Sequence, residues 1–219
     1  MIIPPTGAAP AGSARELWSA LGAEAKNERL LNAATEVFRR HGLGAPMSEV
    51  AEAAGSGVAS IYRRYPSKHE LVAALVIRRM GQIAGAAVDA ERRPGDRWTA
   101  LVGMLRWVVE TQSADDFMGE ARALVADHPD VEAATDAAAS AWERLLGDAR
   151  REGRLRADAS VLDLRLLFAA TRAAKRVEPQ QWPRMLELLI DALDSQAHRP
   201  TGGAPPASGP DCPSPRPPG

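Results

Sequence analysis

In the stretch MSEVAEAAGSGVASIYRRYPSKHEL, residues 47–71, two short apolar stripes flank a three-residue break. Met47, Val50, Ala51 and Ala54 fall at helical spacing, and Pro46 stands beside the first turn, where its missing N–H costs nothing. Gly55-Ser56-Gly57 interrupts the pattern, and a second helix is predicted from Val58 to Tyr65. Pro66 ends it. Ser67 and Glu70 then form a capping-box pair that opens a longer helix running through Leu71, Leu75 and Met80 towards Asp89.

Helix, tight turn and helix in this order make a helix-turn-helix, in which the second helix is narrow enough to enter the major groove of DNA. Gly55 supplies the positive φ that the turn requires, and Ala51 and Ala54 are small enough for close helix packing. On the second helix, Ile61 and Tyr65 are four apart and should point inward, with Val58 at the edge. Ser60, Arg63 and Arg64 should point outward. The small Ala59 lets the helix approach base edges. Arginine can pair bidentately with guanine, and hydroxyls can hold phosphates. Lys68 lies in the first turn of the next helix, where free backbone N–H groups also favour an anion. The same arginines would also suit an ordinary solvated face.

Upstream, Leu30, Ala33, Ala34, Val37 and Phe38 form a further helical stripe that Gly42 closes. Residues 25–80 carry nine basic and five acidic groups, net +4, whereas residues 81–198 carry fifteen and twenty, net −5. The whole chain, 219 residues at −1, hides this asymmetry. It suits phosphate contact at one end of the molecule, and suits an ordinary variation of surface charge equally.

Downstream the pattern stays helical, with no convincing alternation of period two. Stripes run through Trp98, Leu101, Val102, Leu105 and Val109, through Phe117, Ala121, Leu124 and Val125, and through Ala134, Ala138, Ala141, Trp142, Leu145 and Ala149, which Gly153 closes. Two last helices are expected over 159–176 and 180–197, giving about nine in all. The expected fold class is all-α. Residues 1–24 read as a mobile arm, 25–70 as a helix-turn-helix domain, 71–198 as a helical domain, and 199–219 as a Pro/Gly/Ser tail unable to offset its ordering entropy.

Ala54-Gly55, Ser60-Ile61-Tyr62-Arg63-Arg64-Tyr65-Pro66-Ser67-Lys68 and Glu70-Leu71 together resemble the DNA-binding signature of the TetR family of transcriptional regulators. Leu30 to Ala34 with Phe38 and Gly42 is similar to that family's first helix, and Met47 to Ala51 to its second. The resemblance spans about residues 25–80. Two positions depart from it: Ser56 stands where an apolar residue is usual, and Ala45-Pro46 where a threonine is usual. Ser60 replaces the usual threonine and keeps its hydroxyl.

The resemblance implies that Gly57, Val58, Ser60, Tyr62, Arg63, Arg64 and Lys68 face a double-stranded DNA operator, with Tyr62 and Lys68 on phosphates and Arg63 or Arg64 reading bases. It implies a homodimer through the last two helices, whose candidate faces are Leu162, Leu166, Ala169, Ala170 and Ala173, and Met185, Leu188, Leu189 and Ala192. It also implies a small-molecule effector, held among helices from Arg97 to Arg151. Trp107, Met104, Phe117, Trp142 and Phe168 are the large side chains expected to line that pocket, though each suits an ordinary core equally. Repression, relieved by the effector, is the expected sign.

Other classes find little support. No nucleophile elbow, zinc-protease helix, P-loop or dinucleotide fingerprint occurs, so no enzyme activity and no cofactor is expected. Asp127-His128-Pro129-Asp130 reads as a helix cap, and no metal site is expected. The single cysteine, Cys212, forms no intrachain disulfide and fits a reducing cytoplasm. No signal peptide and no membrane span are expected. The alternatives are a helical protein-interaction module that no longer binds DNA, and a small helical enzyme or carrier.

Overall fold

The computed structural model describes residues 18–112 and 117–196. The expected tail from 199 and most of the expected N-terminal arm lie outside them. Nine named helices follow in order: α1 (Ala23–His41), α2 (Met47–Ala54), α3 (Val58–Arg64), α4 (Lys68–Arg92), α5 (Arg97–Gln112), α6 (Met118–Leu124), α7 (Pro129–Arg151), α8 (Val161–Val177) and α9 (Trp182–Leu193). The fold is all-α, with an N-terminal helix-turn-helix unit and a helical C-terminal part. Among the described residues the only extended pairing is an isolated bridge between Leu155 and Asp194.

Two apolar cores organise these helices. The first joins Leu30, Ala34 and Phe38 of α1, Val50 and Ala54 of α2, Ile61 of α3, and Leu71 and Leu75 of α4. The second joins Leu101 and Leu105 of α5, Leu145 and Ala149 of α7, Leu164 and Leu167 of α8, and Leu186 and Ile190 of α9. The central helix α4 serves both. Its N-terminal half, through Val76, enters the first core, Ile83, Ala87 and Ala90 enter the second, and Met80 packs against each. By length and composition α4 could cross a bilayer. Its apolar side is instead spent inside the fold, above all along α7.

Local chemistry explains the helix ends. Gly55 takes φ 71° and ψ 27°, the left-handed conformation that closes α2. The Ser67 hydroxyl accepts from the Glu70 amide at 3.1 Å and caps α4. Ser160 and Asp163 form a full capping box at α8, a signal present in the sequence but not picked out there. The last helix is shorter than its apolar pattern suggests. The Arg154 guanidinium binds the Asp194 carboxylate at 2.8 Å, and the Ser195 amide donates to the Arg154 carbonyl, so the chain leaves the helix to pair with the loop after α7.

Two side chains depart from the stripes read in sequence. Leu124 is exposed, and the end of α6 turns inward through Val125 instead. Phe117 does not join the C-terminal core. It packs edge-on against Phe38 of α1, ring centroids 6.0 Å apart. Its aromatic area therefore seals the first core under α6 and is unavailable to a pocket in the second.

The turn between α2 and α3 keeps one defect. Ser56 is buried, its amide bonds the Ala51 carbonyl, and its hydroxyl has no hydrogen-bond partner. A buried orphan hydroxyl costs free energy that a methyl group would not. Ser56→Ala is therefore expected to stabilise the protein by about 1 kcal/mol, raising Tm by about 2–4 °C for a chain of this size. Differential scanning calorimetry measures this directly. A lower Tm would mean that the hydroxyl has a partner in solution.

Candidate nucleic-acid interface

Helix α3 is short, so its orientation depends on what holds it. Ile61 is fully buried and anchors its inner face. The Tyr65 hydroxyl donates to Asn27 Oδ1 of α1 at 2.6 Å, and burial pushes the phenol's pKa up, keeping it a donor. The Arg64 Nε donates to the same Asn27 oxygen at 3.2 Å. Arg29 Nε donates to the Ala54 carbonyl at 2.8 Å and ties the end of α2 to α1. Arg78 of α4 reaches Asn32 and Thr35 of α1 at 2.8 and 2.9 Å. Helix α1 is thus a common brace for the helix-turn-helix and for α4.

The outer face is left open. Gly57, Val58, Ala59, Tyr62, Arg63 and Arg64 are exposed and Ser60 is half-buried, so one side of the helix-turn-helix presents every residue singled out on α3. Among the described residues Arg63 bonds only the Ser60 hydroxyl, at 3.0 Å. Arg64 is drawn back towards α1. Lys68 is half-buried, and its ammonium donates to the Leu43 and Gly44 carbonyls at 2.9 and 3.2 Å. That bond pair fixes the loop between α1 and α2 and leaves one N–H of the ammonium for an anion.

Sequence reasoning missed part of this surface. A cleft of about 230 Å³ between the start of α1 and α3 is lined by Lys26, Asn27, Ser60, Arg63 and Arg64, with Trp18 at its rim. Among the described residues the N-terminus of α1 carries no side-chain cap. A polar Lys-Asn pair at the end of the first turn of a helix was the available signal.

The local charge excess also concentrates here. Arg39 and Arg40 pair with Glu36, holding its carboxyl below the usual range chiefly through the Arg39 hydrogen bond, and Arg78 pairs with Glu28. Lys26, Arg63 and Arg64 have no carboxylate partner among the described residues. These three line the cleft between α1 and α3.

The expected pocket residues divide. Met104 and Trp142 are buried in the second core, and Phe168 packs against Trp142 at 5.9 Å. Trp107 lies half-buried beneath the Arg79 guanidinium, 5.6 Å from its ring centre, and Arg79 also donates to Thr111. His128 does cap α7, its Nδ1 accepting from the Asp130 amide at 3.3 Å. The fold also places His128 near His69 of α4, ring centroids 6.1 Å apart, but no metal-binding group forms among the described residues.

Residues 30–75 match the family model described as bacterial regulatory proteins, tetR family. The TetR transcription regulatory protein from Mycobacterium vanbaalenii is 30% identical, with 78% of this chain and 96% of that one covered at a TM-score of 0.55. This chain belongs to the TetR family. A TetR transcriptional regulator from Streptomyces coelicolor is 25% identical over 77% of this chain and 98% of its own, with a TM-score of 0.61. SmeT, the repressor of a multidrug efflux pump in Stenotrophomonas maltophilia, is 22% identical and shares the fold over 83% of this chain and 97% of its own, with a TM-score of 0.57. No curated protein sequence matches. TetR membership makes the chain a helix-turn-helix transcriptional regulator.

Proposed function

We propose that the protein represses transcription as a homodimer on a palindromic operator in the cytoplasm and is released by a small-molecule effector. The observation that carries this reading is the open, uncompensated basic face of α3 set on a rigid brace. In it, Arg63 reads bases, while Tyr62, Lys68, Arg64 and the N-terminus of α1 hold phosphates.

The two-fold symmetry rests on α8 and α9. Leu162 and Leu166 are 60% exposed, Val177 83% and Leu188 50%, whereas the opposite sides of both helices are buried. A shallow groove of about 330 Å³ between the two helices has Ala170 and Ala192 in its lining, flanked by Leu166 and Leu189. Small residues in a groove beside projecting leucines form a self-complementary surface, as an isologous interface requires.

Release follows from linkage. An effector weakens operator binding only if it prefers a conformation in which the two recognition helices are wrongly spaced. Helix α4 is the lever, because it is pinned to α1 by Arg78 and to the second core by Ile83, Ala87 and Ala90.

Selection from random double-stranded DNA with the full-length protein, followed by sequencing, tests the proposal. A palindrome with half-sites about one helical turn apart is expected. A folded, dimeric protein that enriches nothing would favour the helical interaction module instead.

A further inference from the structure

Of the large side chains that sequence pointed to, only Phe168 lines the widest groove described on the C-terminal part. It is an open groove of about 850 Å³ between α6, the first half of α7 and α8, with Met80 of α4 in its lining. Its volume suits a small ligand. Phe168, Met118, Leu162 and Leu166 give it an apolar wall.

Three arginines converge on the same groove: Arg122 of α6 and Arg165 and Arg172 of α8. None has a carboxylate within ion-pairing distance among the described residues, although Glu132 and Asp136 of α7 also line the cavity. Arg106 pairs with Glu187, Arg144 with Glu91, Arg150 with Glu143, Arg154 with Asp194 and Arg156 with Asp158, whereas Arg92, Arg93, Arg176 and Arg184 also have no carboxylate partner among the described residues but do not line this groove. The Arg172 guanidinium lies over Gly119, where an added Cβ would stand 3.3 Å from Nη1. Burial, and then the Arg165 charge, lowers the pKa of the half-buried Arg122.

Clustered, partly desolvated like charges are costly unless something neutralises them. An anion does so with charge-assisted, often bidentate hydrogen bonds. We infer that this groove is the effector site and that its ligand is an organic anion, a carboxylate or phosphate head on an apolar body. The inference rests on the effector reading above and adds the chemistry of the ligand. Arg122, Arg165 and Arg172 hold the head, and Met80, Met118 and Phe168 receive the body. Met80 also touches the first core, so an occupant reaches the lever helix directly.

Paired probes test this on the full-length protein. Anilinonaphthalene sulfonate carries an anionic head, and N-phenylnaphthylamine has the same aromatic body without it. Saturable binding of the sulfonate at one per chain is expected, at least ~10-fold tighter than the neutral probe. In an Arg122→Gln/Arg172→Gln variant, and separately in the more exposed Arg165→Gln variant, the sulfonate should weaken at least ~5-fold while the neutral probe holds. Circular dichroism confirms folding of each variant. Equal affinity of the two probes, or sulfonate binding indifferent to the arginines, overturns the inference. So does a variant that falls to monomers with unchanged sulfonate affinity, since the arginines would then belong to the subunit interface. If the sulfonate binds through the arginines yet leaves operator affinity unmoved, the anion site stands and ligand release falls.

Discussion

Alanine at Tyr62, Arg63 and Arg64 together is expected to lower affinity for the selected operator by at least ~100-fold, with helicity and thermal stability close to wild type. The magnitude follows from the division of roles. A bidentate arginine–guanine pair is worth about 1–3 kcal/mol of discrimination, and a two-fold dimer loses it twice. Loss of the Arg64 charge from two subunits should also flatten the dependence of log affinity on log salt by about 2, since each neutralised phosphate contributes about 0.9. Tyr62 is a neutral donor and should change affinity with little change in that slope. Stability is spared because Tyr62 and Arg63 are exposed and Ile61 and Tyr65 still anchor the helix. Fluorescence anisotropy on a labelled duplex, over a series of salt concentrations, reads both quantities. Arg63→Ala alone should relax base preference within the half-site, whereas Arg64→Ala alone should weaken all sequences alike. The opposite assignment would mean that the Arg64–Asn27 contact opens on DNA. Unchanged affinity in the triple variant would remove α3 from recognition altogether.

How much of this was legible before the structure depends on whether the cause was local. The stripe of α1, the glycine turn after α2, the Ser67 cap and the inward pair Ile61 and Tyr65 are set by residues within a few positions of one another. Each took the form its spacing implied, except that the Ser67 cap lacks the expected return bond from Glu70, whose carboxylate faces His128 Nε2 at 3.4 Å instead. The choice of packing partner is not local. Phe117 had the right size for a ligand pocket, but its neighbour is Phe38, far back in the chain, and only the fold brings them together. Asn27 was invisible for the same reason, since its value lies in being opposite Tyr65 and Arg64. The charge count gave the sign of the N-terminal surface correctly. It could not say that Arg39, Arg40 and Arg78 are neutralised internally while Lys26 and Arg63 are not. The groove arginines come from two helices whose separation in sequence hides them: Arg122 and the pair Arg165 and Arg172 look like ordinary surface charges until α6 and α8 are side by side. A search weighted towards large apolar residues passes over a site whose specificity lies in unpaired charge.

Glutamate at Leu166 and Leu188 together is expected to turn the dimer into a monomer at micromolar concentration and to lower operator affinity by about 10²–10⁴-fold. Both leucines project from helices whose other sides are buried, so the monomer gains nothing from them. Burying a leucine fully is worth about 1.5–3 kcal/mol, and each contributes once from either subunit. The substitution removes that gain and places four carboxylates in an apolar interface, where desolvation and mutual repulsion oppose association. The operator effect follows because half-sites bound independently lose the effective concentration that linkage supplies. Folding should persist, since exposed leucine to glutamate on a helix surface disturbs neither core. Analytical ultracentrifugation and anisotropy on the same samples separate the two effects. A monomer with weak operator binding places the two-fold axis on α8 and α9. A dimer that survives with full affinity would mean that subunits meet elsewhere, and that the exposed leucines of α8 serve the anion groove alone.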